Sequence, residues 1–384
     1  MFRKTVFWLH LTCGVTAGLV VLMMSVTGVL LAYERQILAW ADRAHYAEPA
    51  PGAVRQPLAE LLAAAQRERP GFQPTAITLR NEPGAPVTVA AGRAGALLAD
   101  PYTATVREPG SERLRDFFET VEGWHRWFGA SGDGRATARA VTGACNFVFL
   151  VLVFSGVYLW LPRVWKWAAF RARLRFNAQA TTSKARDFNW HHVFGIWSAL
   201  PLAVVVATAV VFSYPWANAL VYRSVGEQPP ARGAPPGGAP SGGAARSAEA
   251  EPPNGSTPQP LTYDQLFARA EAHGDWRTLT LALPLASTAR FSIDQGNGGQ
   301  PQRRHALTLD AATGDVQSWA PFSSQPRGQR LRSWIRFLHT GEALGIVGQT
   351  IAAIVSATSV IMVWTGLALA WRRLVAPLFR RSTE

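Results

Sequence analysis

Eight histidines are the residues of this chain best suited to chemistry, and five of them fall at the ends of long apolar stretches. His10 lies near the start of one stretch. His191, followed directly by His192, lies near the start of another. His125 and His339 each close an amphipathic segment just ahead of two further stretches. His45, His273 and His305 lie in the segments between, where an exposed or locally hydrogen-bonded imidazole is the expectation. Two imidazoles brought from opposing helices, with no carboxylate or thiolate close in sequence, suit axial ligation of haem iron, which is held from opposite faces of a flat ring. Zinc wants four ligands, or three and a water. The expected iron ligands are therefore His10 with His191, and His125 with His339. His192 competes with His191 for the inner position.

Glycines follow at a matching interval. Gly14, Gly129 and Gly195 stand four residues after His10, His125 and His191, a spacing that shares one helix face. Each would remove the side chain against which a porphyrin lies. His339 has Ala343 instead. Arg126, with Arg139, Arg332 and Arg336, stands near the outer pair, and Arg3, Lys4 and Arg186 near the inner pair, as candidates to neutralise haem propionates. For any one of these histidines the competing readings are an interfacial imidazole bonded to headgroups, or a proton relay.

The elements that must position these residues are four uncharged stretches, Val6–Tyr33, Ala140–Leu161, Val193–Leu220 and Ala343–Trp371. Each exceeds the roughly 20 apolar residues that cross a bilayer. From His10 to Tyr33 a helix rises about 35 Å at about 1.5 Å per residue. The two histidine pairs are thus expected at opposite membrane faces. A cleaved signal peptide is the competing reading of the first stretch, with Ala39-Trp40-Ala41 as its cleavage site. The apolar run is longer than the 7–15 residues, roughly, of a signal core. Cys13 and Cys145 lie in apolar stretches, and no paired-cysteine motif or CxxCH is present, which excludes covalent haem attachment.

The sequence also repeats. At an offset of 181, His10, Gly14, Thr27 and Tyr33 fall on His191, Gly195, Thr208 and Tyr214. At an offset of 210, Asp100, Thr103 and Val106 fall on Asp310, Thr313 and Val316, and Ser155-Gly156 falls on Thr365-Gly366. The expected fold is an α-helical integral membrane protein, a four-helix transmembrane bundle built from a tandem repeat with two small α+β periplasmic domains. Its parts are a first transmembrane helix (1–36), an outer domain (37–112), a surface helix with the second transmembrane helix (113–165), a basic cytoplasmic loop (166–187), a third transmembrane helix (188–222), a Pro/Gly/Ala/Ser-rich disordered linker (223–260), a second outer domain (261–322), and a surface helix, fourth transmembrane helix and tail (323–384). The outer domains carry no residues at metal-ligand spacing and are expected to do no chemistry themselves.

The net charge of +13 invites a nucleic-acid reading, but its distribution opposes one. Arg163, Lys166, Arg171, Arg173, Arg175, Lys184 and Arg186 crowd one short segment with no acid among the residues between. Arg372, Arg373, Arg380 and Arg381 crowd the tail. This is the positive-inside pattern, so both termini are expected in the cytoplasm, the long loops in the periplasm, and the lipid bilayer rather than nucleic acid as the partner.

With these residues in view the chain resembles the PepSY-associated transmembrane family. The resemblance rests on the HxxxG at the head of the first and third helices, on Trp124–Gly129 (WHRWFG), on Leu338–Gly345 (LHTGEALG), and on outer segments that look like PepSY domains. It covers nearly the whole chain; the long Pro/Gly linker departs from it. It implies a di-haem reductase of the bacterial inner membrane, with two haem b, delivering electrons to a periplasmic ferric siderophore or other ferric chelate. No phosphate-binding loop or flavin fingerprint is present, so the electron donor is expected to be another protein, a diffusing reduced cofactor or quinol. Two rival functions remain open on sequence: a non-enzymatic, membrane-anchored PepSY binding or regulatory module, and a transporter using the histidines as a proton path.

Overall fold

A computed structural model describes residues 1–46, 48–49, 51–230 and 261–380. Among these described residues the protein is mostly helical, with four helices long and apolar enough to cross a membrane. They are Phe2–Leu31, Gly134–Trp160, Ser183–Ser213 and Gly345–Leu374. The second starts earlier than the apolar pattern suggests, because Arg135 and Arg139 extend it beyond its uncharged core. The third ends earlier. Pro215 has no amide proton to continue the ladder, so the chain breaks at Tyr214 and restarts as a short helix, Pro215–Arg223, with the proline in its first turn. The first breaks likewise near Tyr33 and restarts over Glu34–Asp42.

In lipid, polar side chains inside such helices must find partners. Ser25, Thr27, Ser155, Ser198, Thr208 and Thr365 all bond back to the carbonyl four residues earlier. Each helix packs against two neighbours: the first and third each contact the second and the fourth. The first and third therefore face each other across the bundle diagonal. At one end Tyr33 bonds Thr350 at 2.8 Å, Gln36 bonds the buried Gln349 at 2.6 Å, and Arg35 pairs with Glu342 at 3.0 Å. At the other end the buried Asp187 pairs with Arg372 at 2.7 Å. Cys13 and Cys145 are free thiols.

Beyond the Tyr33 end stands a β-sheet. Its strands are β1 (Ala76–Arg80), β2 (Val87–Ala90), β3 (Ala96–Ala99), β4 (Val106–Arg107), β5 (Thr278–Ala282), β6 (Thr288–Asp294), β7 (Arg304–Asp310) and β8 (Val316–Pro321). Here the structure corrects the expectation of two separate small domains. The strands form one antiparallel sheet in the order β4-β3-β2-β1-β5-β6-β7-β8. β1 and β5 join its halves, with Thr78 opposite Thr280 and their hydroxyls 2.8 Å apart. The helices Leu58–Glu68 and Tyr263–Glu271 cover one face. A single core runs through both halves, including the fully buried Leu61, Ile77, Val89, Leu97, Leu266, Leu279, Leu281, Leu307 and Leu309. Each such leucine contributes about 1.5–3 kcal/mol, which neither half alone would retain once its joining strand was exposed. Of the expected disordered linker, residues 231–260 lie outside the described residues.

Candidate functional site

Two helices outside the bundle bring histidines to it. Glu112–Trp127 opens on Ser111, whose hydroxyl accepts from the Leu114 amide at 3.3 Å. It closes with Phe128 and Gly129 at positive φ, the Gly129 amide reaching back to the Gly123 carbonyl at 3.0 Å. This left-handed stop is a common helix ending, and it sets His125 in the last turn. Arg327–His339 carries His339 as its last residue.

All four expected ligands are held in one manner. His10 Nδ1 meets Ser155 Oγ at 2.8 Å, and the Ser155 hydroxyl proton is directed to the Val151 carbonyl at 2.7 Å. Ser155 can then only accept, so His10 carries its proton on Nδ1. His125 Nδ1 meets Thr27 Oγ1 at 2.8 Å, and Thr27 donates to the Met23 carbonyl at 2.7 Å. The same deduction follows. His191 Nδ1 lies 3.0 Å from the Met362 carbonyl, which accepts only, and 3.1 Å from Thr365 Oγ1. His339 Nδ1 lies 2.9 Å from the Val205 carbonyl and 3.2 Å from Thr208 Oγ1. Every one of these imidazoles is thus the Nδ1–H tautomer, with Nε2 carrying the free lone pair. No hydrogen bond engages any of these Nε2 atoms among the described residues. Such a backing partner is what fixes the ring and tautomer of a metal-ligating histidine. Burial, with His339 nearby, pushes the His125 imidazole down to about 4, and burial lowers His339 too. Both are neutral, as ligation requires.

The inner pair comes from the diagonal helices. The His10 and His191 ring centroids are 6.4 Å apart and nearly perpendicular, at 87°. Two imidazoles sharing one metal at bond lengths of about 2 Å place their centroids about 6 Å apart. The donor set, spacing and tautomers therefore fit a group ligated from both faces. His192 is placed differently: its Nδ1 bonds the Phe188 carbonyl of its own helix at 2.9 Å and its ring lies 4.1 Å from Phe188. The outer pair leans on the same two diagonal helices, His125 on the first and His339 on the third. Seventeen residues separate His10 from Thr27, and His191 from Thr208, about 25 Å at about 1.5 Å per residue. The two pairs are accordingly closer than the full helix length suggests, because the outer histidines reach inward to Thr27 and Thr208.

The glycines fall into two groups. Gly129 follows the end of its helix rather than facing a ring, and its neighbour is the Trp124 indole. A Cβ on Gly14 would meet Leu152 at 3.9 Å and one on Gly195 would meet Met362 at 3.6 Å, ordinary contacts with neighbouring helices. The glycines that abut imidazoles are others. A Cβ on Gly366 would stand 3.2 Å from His191 Cε1, on Gly156 3.4 Å from His10 Cε1, and on Gly28 3.7 Å from His125 Cε1. Each directly follows the hydroxyl residue that holds the same ring. The sequence signal was present, since Ser155-Gly156 and Thr365-Gly366 match at the 210 offset. Of the expected cations, Arg126 pairs with Glu122 at 2.5 Å and Arg186 with Asp187 at 3.3 Å. Arg332 donates to Asn218 at 2.8 Å, Arg139 to the Phe212 carbonyl at 3.1 Å, and Arg3 to the Leu161 carbonyl at 2.9 Å. Arg336 and Lys4 enter no ion pair among the described residues.

Compared with known families, the chain matches the one described as the PepSY-associated TM region over residues 7–373, nearly its whole length. A search of curated proteins returns no match.

Proposed function

The chain belongs to the PepSY-associated TM family, and on that premise we propose that it is a di-haem reductase of the inner membrane that passes electrons to a ferric chelate, a ferric siderophore above all, in the periplasm. The observation carrying this reading is the set of four imidazoles in the Nδ1–H tautomer, one pair of them 6.4 Å apart across the bundle. Bound haem b would supply one-electron exchange between ferric and ferrous iron.

The chain's own residues do the rest. His10 and His191 hold the inner position, and His125 and His339 the outer. Ser155, Thr365 and the Met362 carbonyl keep the inner rings oriented. Thr27, Thr208 and the Val205 carbonyl keep the outer rings oriented. The apolar helices exclude water from the path between. A donor on the cytoplasmic side, or quinol, gives one electron for each external ferric ion, and the ferrous product is held more weakly by hard oxygen ligands. The basic segment around Arg163–Arg186 and the tail argue for a cytoplasmic placement of both termini. The matched offsets of 181 and 210 and the symmetric strand order argue for a tandem duplication of a PepSY-like half.

The test is external iron release. Protein in sealed vesicles, reduced from the side of the basic loop, should convert an impermeant ferric chelate outside to ferrous iron trapped by a chromogenic chelator. His125→Ala and His339→Ala should abolish it. A fully haem-loaded protein that reduces no external chelate would instead be a binding or regulatory module.

A further inference from the structure

His305, expected to be an unremarkable loop imidazole, is not one. Its ring stacks on Trp319 at 5.1 Å and 11°, and Trp319 stacks in turn on His273 at 6.1 Å. The stack fixes the ring, yet His305 Nδ1 is buried without a hydrogen-bond partner. Arg330 Nε is buried and unpartnered as well. Both residues line one cleft of about 400 Å³, and since these two nitrogens are closed off from it, what they offer an occupant is the His305 Nε2 and the terminal nitrogens of Arg330. That volume lies in the ordinary range for small-molecule sites, roughly 300–1,000 Å³.

The cleft lies between the β7–β8 edge of the sheet and the helix Arg327–His339. Arg327 and Arg330 line it on one side, with Phe322, Leu331 and Trp334 as apolar wall. No acidic side chain lines it among the described residues. Neither guanidinium has an ion-pair partner among the described residues. A neighbouring carboxylate, Glu227, accepts from the Arg327 and Gly328 backbone amides, at 2.8 Å each. Two unpaired guanidiniums select negative charge. Trp334, Phe322 and the His305 ring favour a flat aromatic body. Arg330 stands nine residues before His339 on one helix, about 13 Å at about 1.5 Å per residue.

We propose that this cleft is the docking site for an anionic iron chelate with aromatic donor rings, of the catecholate or phenolate class. It rests on the reductase reading for its purpose, but the binding itself does not depend on it. Arg330 and Arg327 neutralise the chelate's charge, Trp334 and Phe322 take its rings, and the His305 imidazole bonds a ligand oxygen through Nε2. The site lies along the helix that ends in His339, about 13 Å from that residue along the axis at about 1.5 Å per residue.

The test uses the full-length protein in nanodiscs of zwitterionic lipid and a redox-inert probe, the gallium(III) tris-catecholate complex, followed by titration calorimetry. A gallium(III) trihydroxamate without negative charge serves as comparison. The wild type should bind the catecholate and discriminate against the hydroxamate. Arg330→Gln should weaken catecholate binding about tenfold or more, as expected for a lost charge-assisted contact. Arg327→Gln, which changes a more exposed residue, should act in the same direction. His305→Phe keeps the stack on Trp319 but removes the nitrogen, and it should weaken binding several-fold. Haem content should be the same in all three variants. Equal binding of the two gallium complexes, or binding indifferent to all three substitutions, would overturn the proposal. So would loss of catecholate binding when phosphatidylglycerol is added to the nanodisc, which would make the cleft a headgroup seat. Catecholate binding as described, without reduction of the corresponding iron(III) complex, would leave the site standing and refute the reductase reading instead.

Discussion

The contacts between glycines and imidazoles give a graded prediction. A Cβ at Gly366 would stand 3.2 Å from His191 Cε1 and 3.6 Å from its Nδ1. Carbon atoms in contact prefer about 3.5–4.0 Å, so the ring must retreat by about 0.3 Å or more. It cannot retreat freely, because Nδ1 is anchored to the Met362 carbonyl and Thr365. Ligand constellations function within about 0.5 Å of their ideal geometry, so the retreat uses most of the tolerance. Overpacking of this kind costs about 1–3 kcal/mol, and Gly366→Ala should weaken inner haem binding about tenfold. Gly156→Ala, at 3.4 Å from His10, should have a smaller effect on the same haem. Gly28→Ala, at 3.7 Å from His125, should barely disturb the outer one, since its closer contact at 3.3 Å is the Ser356 hydroxyl, which can rotate. The assay is haem loss to an excess of apomyoglobin, followed in the Soret band, with the undisturbed haem of each variant as internal standard. If Gly366→Ala loses inner haem no faster than the wild type, or Gly28→Ala has the largest effect, the rings are not held as argued.

The backing hydroxyls should differ in importance. Among the described residues Ser155 is the sole Nδ1 partner of His10, so Ser155→Ala should cost the inner haem about 10–100-fold in affinity, whereas Thr365→Val leaves His191 its carbonyl partner and should cost markedly less; haem titration of apoprotein distinguishes them. His191→Ala should lose the inner haem and His192→Ala should not, measured as haem per polypeptide, because the His191 ring stands 6.4 Å from His10 while His192 bonds its own helix at Phe188; the reverse result would put the register wrong. Deleting Gln228–Pro258 should leave haem content and the reduction rate nearly unchanged, and a large loss of either would make the linker structural.

Much of this arrangement is written locally in the sequence. Uncharged runs of sufficient length betray the four helices, and the amphipathic segments ending in His125 and His339 are legible from their apolar spacing. The α+β character of the two outer segments is legible as well, because short β-branched runs there alternate with Gly, Pro and Asn. The joint between β1 and β5 is not legible. Thr78 and Thr280 lie two hundred residues apart, and nothing in the local pattern of either strand says which edge it will pair. The fate of Gly129 was misread because spacing alone cannot tell a glycine inside a helix from one that ends it. The hydroxyl residues were visible as matches between the two halves, Thr27 with Thr208 and Ser155 with Thr365. Their task emerges only when separate helices pack together. His305 was passed over because it has no counterpart in the other half, and its burial depends on how β7 and β8 meet the helix Arg327–His339.

Two haems on four named histidines carry the proposed electron path. The pyridine haemochrome of purified protein, measured against polypeptide concentration, tests it most directly when wild type and His125→Ala are prepared together. Wild type should carry about two haem b per chain and the variant about one, with the remaining haem spectrally unchanged on dithionite reduction. A wild-type chain that purifies without haem and takes up none on reconstitution, or a His125→Ala chain that keeps both haems with unshifted spectra, would contradict it.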